Sequence, residues 1–178
     1  MKKVFMLALV AVMTLGVCQK AQAIEDPNAK GTLVIGVRGG IYPGFGGNVV
    51  ADYTLINKWW KGHFTVGAYA GYNTRTYHWV TYTSHYSNIA IMPRATYGLN
   101  LTKSLEVHAG VMLGMNIQLD TWRYDSEYLT DERYTHYYFS HGELLGARYM
   151  FTPKFGAEVE FVYSGYQSYI NAGVTIKL

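Results

Sequence analysis

The chain has 178 residues and a formal charge of +3, but Lys2, Lys3 and Lys20 all lie within its first 23 residues. From Ile24 onward cations and anions balance, which removes nucleic acid, the partner a basic chain would suggest. The single cysteine, Cys18, lies in the same N-terminal stretch, so the remainder has no disulfide framework, and 17 tyrosines and 19 glycines favour aromatic, glycine-punctuated strands over helices.

Residues 1–23 read as a cleaved Sec signal peptide: Lys2 and Lys3 are the basic end, residues 4–17 the apolar stretch, and Ala21-Gln22-Ala23 the cleavage site. Cleavage before Cys18 would make a lipoprotein, but Val17 suits that motif poorly. No later apolar run is long enough for a membrane helix. An exported chain can still cross a membrane as a closed barrel, because closure pairs every backbone group. Residues 24–178 are assigned to one all-β barrel domain.

After a polar lead-in over residues 24–30, alternation of apolar and polar residues predicts eight strands. The first covers 32–41, with Leu33, Ile35 and Val37 on one face and Arg38 on the other. The second covers 48–57, the third 63–73 and the fourth 88–101. The fifth, 105–120, has the clearest pattern: Leu105, Val107, Ala109, Val111, Leu113, Met115, Ile117 and Leu119 oppose Glu106, His108, Asn116, Gln118 and Asp120. At about 3.3 Å per residue it exceeds the roughly 9–11 residues that a tilted membrane strand needs. The sixth strand is placed at 137–151, the seventh at 155–164 and the eighth at 169–178.

Two positions strain the scheme. Pro93 lies inside the fourth strand and requires a bulge or a missing ladder bond. Strict alternation drives His141 and Glu143 outward in the sixth strand, and a bulge near Leu144 would return Glu143 to the interior. The links alternate in length. Those at 58–62, 102–103 and 152–154 are short, and those at 74–87 and 121–136 are long, with 42–47 and 165–168 on the same side as the long ones. That arrangement predicts an eight-stranded antiparallel up-and-down transmembrane β-barrel with periplasmic short turns.

The segment GARYMFTPKFGAEVEFVYSGYQSYINAGVTIKL (146–178) resembles the last hairpin of the small OmpX/OmpA-like outer-membrane barrels of the porin superfamily, in the style common in Bacteroidetes. The segment MPRATYGLNLTKSLEVHAGVMLGMN (92–116) resembles the central strand–turn–strand of the same group. The resemblance implies a monomeric integral protein of a Gram-negative outer membrane, in contact with membrane lipid and lipopolysaccharide. The terminal residue is Leu178 rather than the phenylalanine common in proteobacterial relatives.

The expected lumen set is Arg38, Asp52, Arg94, Glu106, His108, Arg148, Glu158, Glu160 and Lys177. An eight-stranded barrel is only just wide enough for side chains to fill, so these charges are expected to pair as a plug, with a narrow porin as the alternative. His85-Tyr86-Ser87-Asn88 resembles the motif of outer-membrane lipid A deacylases, and there His85 would activate Ser87. The carboxylate that family places about a strand further on is absent here, where Leu99 and Leu101 stand.

The long links carry Tyr77, Trp79, Tyr82, Trp122, Tyr124, Tyr128 and Tyr134, which suit either a contact surface or an interfacial girdle. No ligand spacing draws His78, His85, His136 and His141 around a metal, and neither metal nor cofactor is expected. The favoured role is non-enzymatic: envelope structure, with adhesin-like contact to a host or cell-surface ligand through 74–87 and 121–136. A periplasmic lipocalin-like barrel would instead turn the apolar face inward.

Overall fold

The computed structural model describes residues 28–178, apart from 43, 81, 125–130, 166 and 168. The expected signal peptide and Tyr128 lie outside these residues. Eight antiparallel strands close into one barrel: β1 (Leu33–Ile41), β2 (Phe45–Trp59), β3 (Gly62–His78), β4 (Tyr82–Asn100), β5 (Leu105–Tyr124), β6 (Glu132–Met150), β7 (Phe155–Tyr163) and β8 (Ile170–Lys177). Closure is made by β1 against β8, with Val34 opposite Lys177 and Ile41 opposite Ile170.

The polarity is inverted relative to a soluble barrel. Val37, Val49, Ile91, Val111, Leu113 and Val174 are exposed on the outer wall, whereas Arg38, Asp52, Arg94, Glu106, Glu158 and Glu160 are buried inside. Apolar outside and polar inside is the alternation of a strand crossing lipid, and it excludes the lipocalin-like alternative.

The walls differ in height. β1 has 9 residues and β8 has 8, whereas β5 has 20. At about 3.3 Å per residue, β3 to β6 continue well past the level at which β1, β2, β7 and β8 turn back. Ladders running from His78↔Thr83 through Tyr82↔Tyr124 to Trp122↔Glu132 join them into a four-stranded sheet standing above the rim. Much of what the sequence suggests as long links, 74–87 and 121–136, is therefore strand. β6 begins at Glu132 rather than 137, and β2 at Phe45 rather than 48.

The opposite, short-turn rim holds both ends of the barrel and every lysine from residue 24 on: Lys30, Lys58, Lys61, Lys103, Lys154 and Lys177. Above those lysines, Trp59 packs edge-on against Phe64 and Tyr97, and Phe151 meets Tyr149 and Phe155. Aromatic rings beside cations are the pattern of a membrane–water interface.

At Pro93 there is no bulge. The β4–β5 register is the same on either side, from Ile91↔Met115 to Arg94↔Met112, and only the pairs between them are missing. The β3 side is unbroken at Ala68↔Pro93, so the ring faces β5, where its absent N–H is lost. Gly114 fits this gap: a Cβ there would collide with the Ile91 carbonyl and lie 2.9 Å from Met92 Cα.

The bulge expected near Leu144 is also absent. β5 and β6 pair without a shift from Leu105↔Tyr149 to Trp122↔Glu132, which leaves Glu143 on the outer wall. Its carboxylate lies 4.0 Å from His141 Nε2. The register irregularity falls instead in β2, between Thr54 and Trp59, and leaves both Leu55 and Ile56 exposed outside.

Candidate functional site

The lumen is stratified. Nearest the short-turn rim, Asn28 of the lead-in is buried and donates to Glu106 Oε2 at 2.7 Å and Asn100 Oδ1 at 3.2 Å, while Lys177 Nζ donates to Asn28 Oδ1 at 2.7 Å. Sequence reasoning missed this floor, because a single asparagine in a polar lead-in carries no periodic signal.

Above the floor the charges interlock. Arg38 Nη1 lies 2.8 Å from Glu158 and 2.7 Å from Glu160. Arg94 bridges Glu160 at 2.8 Å and Asp52 at 3.1 Å. Arg148 reaches Glu158 at 2.6 Å and Glu106 at 3.2 Å. Three guanidinium groups thus face four carboxylates, and His108, 3.3 Å from Glu160 and 3.5 Å from Glu106, can carry the balancing proton. The ligand atoms of His108, Glu158 and Glu160 lie within 4.8 Å of one another, but arginines already occupy the positions around both carboxylates.

The next layer up is apolar: Val50, Tyr69, Ala90, Met92, Met112, Leu144 and Val162 form one buried cluster across the barrel. β2, β4 and β7 supply it two residues from a charged side chain, as in Asp52–Val50, Arg94–Met92 and Glu160–Val162, while β3, β5 and β6 add Tyr69, Met112 and Leu144. Over it lie amides. Asn48 donates to Asn171 at 2.8 Å, Gln167 donates to Asn116 at 3.0 Å, and the Tyr69 hydroxyl donates to Gln167 at 3.0 Å.

On the raised sheet, the two faces carry different chemistry. The face continuous with the lumen bears Tyr77, Trp79, Tyr82, Trp122, Tyr124 and Tyr134. Tyr82 stacks on Trp79 at 6.0 Å and on Trp122 at 5.7 Å, and Tyr124 tilts against it at 6.1 Å. Arg75 lies over Tyr86 at 5.3 Å and Tyr77 at 5.9 Å. His136 stacks between Tyr134 and Tyr138. The Tyr134 hydroxyl donates to Glu132 at 2.9 Å, and that hydrogen bond and charge raise its pKa above the ordinary value of 10.0. Since these rings point away from the lipid side, they are not the interfacial girdle.

The outward face bears His85 and Ser87, on the same side as Ile89 and Ile91. Ser87 Oγ lies 3.1 Å from the Tyr72 hydroxyl and 3.3 Å from Thr74 Oγ1, while His85 Nδ1 lies 2.8 Å from Thr76 Oγ1. Among the described residues no hydrogen bond joins Ser87 to His85, and no carboxylate contacts the imidazole. His78 and His85 face outward and His136 inward, so the loop histidines do not converge on a metal.

No protein-family model matches the chain, and no curated protein matches it. Solved structures do. A major outer membrane protein from Thermus thermophilus is similar with a TM-score of 0.57 and 14% identity, over 83% of this chain and 99% of that one. Ail, the attachment invasion locus protein of Yersinia pestis, gives 0.53 and 13% identity over 84% and 96%. Its complex with the heparin analogue sucrose octasulfate gives 0.50 and 12% over 82% and 93%. With a closed ring of eight strands, an apolar outer wall and a charged interior, the chain has the fold of the small outer-membrane β-barrels.

Proposed function

We infer that this barrel is a non-enzymatic surface-contact protein whose raised sheet stands outside the cell and binds a saccharide on its aromatic face. The observation that carries this reading is the Trp79–Tyr82–Trp122 stack with Tyr77, Tyr124 and Tyr134, all on the lumen-side face of one sheet. Rigid rings provide contact area at low entropic cost. Short turns on one rim and tall strands on the other favour the tall side as extracellular. Ail's complex with a heparin analogue supports a saccharide as the ligand class.

The test is binding of the barrel, held in a lipid nanodisc, to immobilised sulfated and neutral glycans. Tyr82→Ala with Trp122→Ala should lower retention at least tenfold, the size of about 1.4 kcal/mol, since alanine at aromatic anchors commonly costs more. Equal retention by wild type and double variant would reject the reading.

The structure supports a closed lumen over a porin. A conducting path would have to cross both the interlocked charges and the apolar layer of Met92, Met112 and Leu144.

A further inference from the structure

The outward face of the raised sheet is a different surface from the aromatic one. A shallow depression of about 320 Å³ opens there, lined by Thr74, His85, Ser87, Thr121, Arg123 and Arg133. β3 supplies the first of these, β4 the next two, β5 Thr121 and Arg123, and β6 Arg133. The pairings Thr74↔Ser87, His85↔Thr121 and Thr121↔Arg133 set them side by side across four strands. Three hydroxyls, an imidazole and two guanidinium groups form a set of donors suited to a phosphate monoester.

Position identifies the kind of phosphate. One step down the same strands the surface becomes apolar: Ile89 follows Ser87 on β4, Leu119 lies opposite Ser87, and Tyr72 lies opposite Ile89. Tyr137 and Phe139 are 67% and 73% exposed beside them on β6, as expected where an aromatic belt meets the head-group layer. An anion bound in the depression would therefore sit directly above acyl chains lying on Ile89, Ile91 and Leu119.

Charge agrees. Among the described residues, the carboxylate on this face of the raised sheet is Asp131, 4.0 Å from Arg123 Nε and more than half exposed, so the pair is weak and screened. Glu132 and Asp120 point to the opposite face, where they meet Tyr134 and Gln118. The short loops on the other side of the barrel, 42–44 and 164–169, contain no charged residue.

We propose that this depression is a head-group site for a phosphorylated glycolipid of the outer leaflet, with Arg123 and Arg133 on the phosphate and Thr74, Ser87, Thr121 and His85 on phosphate and sugar oxygens. It depends on the tall side being extracellular but not on what the aromatic face binds. Lipid would then hold the raised sheet by its outward face and leave its inner face open.

The experiment is native mass spectrometry of the barrel released from nanodiscs that contain either lipid A or the same glycolipid with its phosphates removed. Wild type should retain lipid A preferentially. Arg123→Gln with Arg133→Gln should reduce that preference on the order of tenfold, the size of one charge-assisted hydrogen bond. Lys58→Gln with Lys61→Gln, on the other rim, should leave it unchanged. All three proteins should keep heat-modifiable gel mobility, because every changed side chain is at the surface. Equal retention of the two lipids, or a preference that survives loss of both arginines, would overturn the proposal. So would loss of the preference in the lysine variant. Competition by millimolar inorganic phosphate would show a free-anion site instead and overturn the lipid assignment.

Discussion

Ser87 and His85 share the outward face of β4 two residues apart, yet each is hydrogen-bonded across to β3, Ser87 to Tyr72 and Thr74 and His85 to Thr76. Successive same-face residues on a strand are about 6.6 Å apart, so neither reaches the other unless one side chain bends along the strand. A serine nucleophile needs its base within about 2.6–3.2 Å. The expected result is that incubation with the refolded barrel leaves the mass of lipid A unchanged, for wild type and Ser87→Ala alike. Loss of an acyl chain with wild type alone would establish a deacylase.

The interior charges give a stability prediction. Glu160 is held by both Arg38 and Arg94, and its side chain has no solvent exposure. Breaking a buried pair from one side leaves its partner uncompensated and typically costs about 3–5 kcal/mol. Glu160→Ala should lower the urea midpoint of unfolding, followed by tryptophan emission, far more than Asp131→Ala in the exposed Arg123 pair.

Conductance separates plug from porin. Wild type in a planar bilayer should show no steady single-channel current. Arg38→Ala should stay closed as well, because Val50, Met92 and Met112 above the vacated space still exclude water. Current in wild type that changes with Arg38 would make the lumen a pore.

Strand number, order and facing were legible because the pattern is driven by solvent on both sides: lipid selects one face and the charged and amide layers of the lumen the other, so period two prevails where the strand crosses the membrane. Above the membrane that contrast disappears. Thr83, His85 and Arg123 on one face and Tyr82, Tyr86 and Tyr124 on the other are all tolerated by water, so the upper parts of β3 to β6 read as links. The aromatic residues themselves were visible as a candidate contact set, but that they share one face was hidden for the same reason, since they come from four strands whose pairing the sequence does not print. The β2 irregularity was equally invisible, because Leu55 and Ile56 are both apolar and outward.

For Glu143 strict alternation already pointed outward, and the bulge that would have returned it to the interior came from a sound rule, that charges avoid lipid, applied without the ladder. Continuous pairing from Val111↔Glu143 to Leu113↔His141 fixes the register and keeps the carboxylate on the outer wall, 4.0 Å from His141 Nε2. Glu143→Leu in a bilayer should accordingly be neutral or slightly stabilising in urea titration. Strong destabilisation would indicate that the carboxylate serves the interior after all.

The confinement of lysines to the short-turn rim makes the barrel chemically two-sided. An amine-reactive dye that cannot cross the outer membrane would find no lysine side chain to modify on the tall side, whereas a guanidine-directed reagent or trypsin would find Arg123 and Arg133 exposed there. The orientation of the protein in living cells can thus be read from an unlabelled chain that is nevertheless cut, without introducing a tag.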